Sequence, residues 1–248
     1  MKFITFITLL GLITPLAAQN EVNPTEKKRT AYQEAFSNLP EEKRKEFVKY
    51  FQEASRLFQQ KRIFETLEEI DKAQKIFTES PELYNLRGSC YVEMRSFDKA
   101  LVEFEKARVI SPYDLSLKFN IAEVNFVTGE WKKSADLFEK VLKVIPANSV
   151  AMARLTEFKI MLCKKKLGLT DEVMILSKKY DFMDDSPYYY FAEAALAYDR
   201  NDSAKAEEWL GIASRVFRDP TVISAWQDAF VEYGYFKSFH GEEKTTAK

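Results

Sequence analysis

Residues 81–114 read PELYNLRGSCYVEMRSFDKALVEFEKARVISPYD, and residues 115–148 read LSLKFNIAEVNFVTGEWKKSADLFEKVLKVIPAN. Laid over one another, the two stretches match by chemistry more than by identity. Gly88, Ala100, Phe104, Ala107 and Pro112 are answered by Ala122, Ser134, Phe138, Val141 and Pro146 at a shift of 34 residues. Such a period means a repeat of one supersecondary unit. Apolar residues within each unit recur at helical spacing, with no alternating strand pattern, so each unit predicts two helices. Outward from this pair the period persists. An earlier unit from Phe47 carries Tyr50, Ala54, Leu57, Thr66, Ile70 and Ala73 but lacks the closing proline. A later one from Ser149 keeps Leu155 and Thr156, while Lys164-Lys165-Lys166 and about four extra residues blur its second half. Ala194, Ala206, Leu210, Ala213 and Pro220 restore the pattern. Ser80-Pro81, Asp114, Asn148 and Ser186-Pro187 stand ahead of the runs as helix starts.

Tyr84, Gly88, Tyr91, Ala100, Phe104, Ala107 and Pro112 follow the tetratricopeptide order of large, small, large, small, aromatic, small, proline. The chain resembles tetratricopeptide-repeat proteins over residues 47–220, most closely over 81–146. The resemblance implies an all-α fold, a right-handed superhelical α-solenoid of antiparallel helix pairs, divided 47–80, 81–114, 115–148, 149–186 and 187–220. Residues 19–46 are expected to form a linker and N-terminal capping helix, 221–236 a C-terminal capping helix and 237–248 a disordered tail. Small residues have a packing reason: paired helices approach closely only where side chains are short, so Gly88 or Ala122 should face the partner helix near Ala100 or Ser134. Phe104 and Phe138 should fill the space between successive pairs, and Pro112 and Pro146 should end the second helices.

Composition agrees with a helical chain. The 248 residues are 46% hydrophobic and 30% charged, with only 7 Gly and 8 Pro. A formal charge of −1 argues against a nucleic-acid partner. One histidine leaves no members for a histidine-based triad or a multi-histidine zinc site. No GxxxxGK phosphate loop or GxSxG elbow occurs, and neither cofactor, metal nor catalytic residue is expected. Lys2, the apolar run Phe3 to Leu16 and the small Ala17-Ala18 read as a signal peptide over residues 1–18, cleaved after Ala18. The run is shorter than the roughly 20 residues of a spanning helix, so an exported, periplasmic or secreted chain without a membrane span is expected. Export would permit a disulfide, yet Cys90 and Cys163 fall two repeats apart and are expected to be free and buried.

The resemblance implies a concave groove lined by the first helix of each pair, binding a protein or peptide partner. On that reading the contact residues are Glu82, Asn85, Ser89, Ser116, Phe119, Glu123 and Phe126, with aromatics supplying burial and polar groups fixing a backbone. An alternative is an envelope-complex assembly scaffold docking by its ends or convex face. Burial separates the two: exposed Phe119 and Phe126 favour groove binding, and buried ones favour a scaffold. A third reading is a helical hydrolase using Glu123 and Glu157 as paired carboxylates. The three-lysine run is expected to be solvated at a helix end, and at least two residues of Tyr188-Tyr189-Tyr190-Phe191 are expected to be buried.

Overall fold

A computed structural model describes residues 30–235, so the signal-peptide reading and the tail from 237 lie outside the described residues. Among the described residues there are twelve helices and no strand. They are α1 (Ala31–Ser37), α2 (Glu41–Gln59), α3 (Ile63–Gln74), α4 (Pro81–Glu93), α5 (Phe97–Ile110), α6 (Leu115–Val127), α7 (Trp131–Leu142), α8 (Val150–Lys166), α9 (Thr170–Ser177), α10 (Tyr188–Asp199), α11 (Ser203–Val216) and α12 (Pro220–Tyr233). From α2 to α11 they form five successive helix pairs. None of the described helices is long and apolar enough to cross a membrane.

The period is written in the backbone as well as in the side chains. Lys61, Arg95 and Gly129 each take a left-handed φ, of 60°, 55° and 79°, in the turn of their pair, 34 residues apart. Gly168 and Asn201 do the same in the last two pairs. One left-handed residue reverses the chain after a helix and lets the next helix fold back on it.

Starts and stops follow local chemistry, with some departures from expectation. The Ser80 hydroxyl accepts from the Leu83 amide at 3.3 Å, and Asp114 Oδ1 accepts from the Ser116 amide at 2.8 Å. Asp219 accepts from the Thr221 amide at 2.9 Å with Pro220 in the first turn, so α12 starts at Pro220. The first repeat helix starts at Glu41, six residues before Phe47, because Pro40 and the acidic pair Glu41-Glu42 suit a helix N-terminus. α5 stops at Ile110 just ahead of Pro112, whereas α7 stops at Leu142, well before Pro146. The extra residues of the fourth repeat leave α9 only 8 residues long, followed by an irregular stretch to Pro187.

The described chain divides into two compact units, residues 30–120 and 121–235. In the N-terminal unit the core gathers Phe47, Ala54, Phe58, Ile70, Leu83 and Leu86 from α2, α3 and α4. Phe36 of α1 meets Phe47 and Phe77 edge-on at 5.1 and 5.4 Å. Gly88 faces α5, as its size suggests, but its neighbour is the ring of Phe104: a Cβ there would lie 2.5 Å from Cε1. Phe104 therefore packs within its own pair, where the sequence placed it between pairs. In the C-terminal unit Ala122 and Ser134 do meet, the serine hydroxyl donating to the Ala122 carbonyl at 3.1 Å. Tyr188, Tyr190 and Phe191 are buried. Cys90 and Cys163 are free and buried, one in each unit.

Candidate functional site

In the N-terminal unit, Glu82 and Asn85 lie one helical turn apart on α4. Tyr32 of α1 donates its hydroxyl to Glu82 Oε1 at 3.2 Å, and Ser80 donates to Oε2 at 2.8 Å. Burial, then the Glu82 charge, pushes the Tyr32 phenol up to about 12, so it stays a donor at any physiological pH. The Asn120 side chain donates to Asn85 Oδ1 at 2.9 Å. Ser89 is fully buried and donates to the Asn85 carbonyl. Ser116 belongs to the start of α6, its hydroxyl donating to Asp114 at 2.6 Å. Phe119 is buried at 2% exposure. Of the five expected contact residues here, Glu82 and Asn85 come together; the other three serve the core or a helix cap.

In the C-terminal unit, α12 decides the geometry. Glu123 (α6), Lys159 (α8) and Glu232 (α12) meet: Lys159 Nζ lies 2.7 Å from Glu123 Oε2 and 3.0 Å from Glu232 Oε2. The side chains are 11%, 3% and 3% exposed. Phe126, itself fully buried, places its ring 4.7 Å beneath the ammonium. Two carboxylates thus share one cation in a buried site, and Glu123 Oε1 is buried with no hydrogen-bond partner. Burial first, then repulsion from Glu232, raises the Glu123 carboxyl to about 7 against the pull of Lys159. The two carboxylates together hold Lys159 charged, well above the ordinary lysine range, although burial opposes it.

Around this cluster α12 lays an aromatic face on α8 and α10. Trp226 lies 5.1 Å from Phe158 and 5.8 Å from Phe191; Phe230 lies 5.8 and 5.3 Å from the same two rings. Tyr233 reaches Trp131 at 5.7 Å. Burial of one ring such as Phe230 contributes roughly 1.5–3 kcal/mol. The lysine run clamps the end of the same helix. Lys165 ion-pairs with Asp199 and hydrogen-bonds Tyr235, and Lys166 sits 4.3 Å over Tyr233. The side chains of Lys164 and Lys165 are only 16% and 10% exposed, so the expectation of a solvated run fails for those two: aromatic faces and carboxylates give them better partners than water.

Both acids of the paired-carboxylate reading are engaged by other side chains. Glu157 accepts from Lys179 Nζ at 2.8 Å and Tyr180 at 2.6 Å, while Glu123 is tied to Lys159 beneath α12. The two acids meet different lysines, and Lys159 is shared with Glu232. Arg154 binds Tyr180 at 2.7 Å and Asp184 at 3.1 Å, so the stretch after α9 folds onto α8. Among the described residues no group of three or more His, Cys, Asp or Glu is placed to hold a metal ion.

The sequence reading missed Tyr32, Lys159 and Glu232, and gave the α12 rings Trp226 and Phe230 only the role of an end cap. Two signals pointed to them. Lys159 interrupts the buried run Phe158 to Cys163, where a lone charge needs an acid. Trp226, Phe230 and Tyr233 fall on one helix face, a wider aromatic stripe than an end cap requires.

No family model matches the sequence, and no curated protein does. Solved structures match in fold. YrrB, described as a TPR protein with an unusual peptide-binding site, aligns at 18% identity and a TM-score of 0.51, covering 79% of this chain and 96% of that one. PilF of Pseudomonas aeruginosa aligns at 11% identity and 0.54, covering 79% and 99%. A tetratricopeptide repeat protein of Parabacteroides merdae aligns at 13% identity and 0.54, covering 80% and 75%. With five helix pairs, a 34-residue turn period across the first three of them and these structural likenesses, the chain has the tetratricopeptide-repeat fold, an all-α solenoid of helix pairs.

Proposed function

We propose that this chain is a non-catalytic, exported protein-interaction module that docks protein partners through surfaces outside its grooves, as a scaffold in an envelope or extracellular assembly. One observation carries the reading: α12 lays its own aromatic face on α8 and α10, first helices of their pairs and so expected to line a groove. Burial of Phe119 and Phe126 agrees with it. Peptide binding in the groove, the rival reading, would require displacing α12, or parting Glu82 from Tyr32 in the N-terminal unit. The fold supports an interaction role, and the peptide-binding site named for YrrB supports the class of partner. A near-neutral charge supports a protein over a nucleic acid.

Exposed apolar side chains show where docking can be tested. Val109 and Tyr113, at 76% and 89% exposure, stand on the N-terminal unit; Ile175 and Met183, at 72% and 74%, stand on the C-terminal unit. Cross-linking pull-down from the native envelope or extracellular fraction should recover a partner with the mature chain. Val109→Asp/Tyr113→Asp or Ile175→Asp/Met183→Asp should lose it. Recovery unchanged by both pairs would overturn docking outside the grooves, and no partner at all would overturn the interaction reading. N-terminal sequencing of the secreted chain should begin at Gln19; an intact Met1 would refute export.

A further inference from the structure

The groove of the C-terminal unit is occupied in the manner of a binding site. An amphipathic helix lies in it, rings inward, with a carboxylate delivered to a buried ammonium. We propose that this groove is a second binding site closed by α12 as a built-in ligand, and that when α12 lifts away it takes a partner helix of α12's own chemistry: aromatic rings spaced by four and three residues and an acid for Lys159. The proposal rests on the reading of the chain as an interaction module and adds a partner class and a condition for opening.

That condition follows from the charges under α12. Glu123 is faced by Lys159 and Cys163 from α8 and by Glu232 from α12, with the Phe126 ring on its own helix and the Ser134 hydroxyl of α7 beside Cys163. With both acids ionised, the closed site holds one uncompensated negative charge and an oxygen without a donor. A proton on Glu123 balances the cluster. Withdrawal of α12 removes Glu232 and readmits water, so ionised Glu123 favours the open form and protonated Glu123 the closed one. Rising pH through neutrality therefore loosens α12.

Cys163 is a native reporter of opening. It is fully buried, near Lys159, Glu123 and Tyr233, while Cys90 lies buried in the other unit and serves as an internal reference. In the full-length protein, alkylation by iodoacetamide, resolved for each cysteine by mass spectrometry, should mark Cys163 faster than Cys90. The ratio should rise about tenfold from pH 6 to pH 8, the factor carried by one pKa unit of differential ionisation. Glu123→Gln, a neutral stand-in for the protonated acid, should keep the ratio low and flat. A fluorescein-labelled peptide of residues 219–235 should bind the full-length Trp226→Ala variant, whose resident helix competes less well, more tightly at pH 8 than at pH 6, and should slow Cys163 labelling. Equal labelling of the two thiols, a ratio that rises equally in Glu123→Gln, or no peptide binding by a folded Trp226→Ala chain would overturn the proposal. A partner still captured through the exposed apolar positions would then leave the interaction-module reading standing.

Discussion

Gly88 has no room for a side chain, because a Cβ would sit 2.6 Å or less from two atoms of the buried Phe104 ring. Gly88→Ala should destabilise the N-terminal unit by about 1–3 kcal/mol, and Ala100→Leu should act similarly, read as a lower urea midpoint by circular dichroism. The glycine was legible in the sequence as a small residue at a close approach; its partner was not, because a ring reaches one turn beyond the backbone contact that the spacing defines. Lys159 is the opposite case. It holds two buried acids, so Lys159→Met leaves both uncompensated and should cost about 3–5 kcal/mol. Adding Glu123→Gln and Glu232→Gln to Lys159→Met should restore much of that loss, since no charge is then buried. If Lys159→Met alone were neutral in urea titration, the two acids would not depend on Lys159 for compensation.

At the scale of helices and turns, the repeat is enforced by one left-handed residue per pair. Gly129 and Gly168 occupy that conformation without a close side-chain neighbour, the nearest atoms to a Cβ at Gly129 being 3.8 Å away. Gly129→Ala should therefore cost about 1–2 kcal/mol through the backbone alone, and Gly168→Ala the same, measurable as a drop in melting temperature. Helix existence and the close contacts between paired helices were readable because both depend on near neighbours in the chain. The role of α12 was not. Its sequence announces an amphipathic helix, but an amphipathic face states only that something apolar covers it, not which surface does so.

Across the whole chain, acidity should separate the two units. Burial holds the Glu123 carboxyl above its ordinary range in the folded state, and unfolding returns it there, so the folded chain binds a proton the unfolded chain releases. The stability this group contributes is fully present in acid and is lost as pH rises through about 7. All three tryptophans, Trp131, Trp209 and Trp226, belong to the C-terminal unit, so tryptophan fluorescence reports that unit. Its urea midpoint should be lower at pH 8 than at pH 6, and Glu123→Gln should flatten the difference. A midpoint rising with pH would reverse the assignment. The sequence by itself determined the helix pairs, their 34-residue period and the small residues between paired helices, because each follows from spacing along a helix and from turn chemistry within one repeat. Only the tertiary structure decided that α12 lays its rings on α8 and α10, that Phe119 and Phe126 are buried and that Lys159 balances acids from 36 and 73 residues away. Those facts depend on where α12 finds an apolar and ionic match, and no periodicity in the chain encodes that destination.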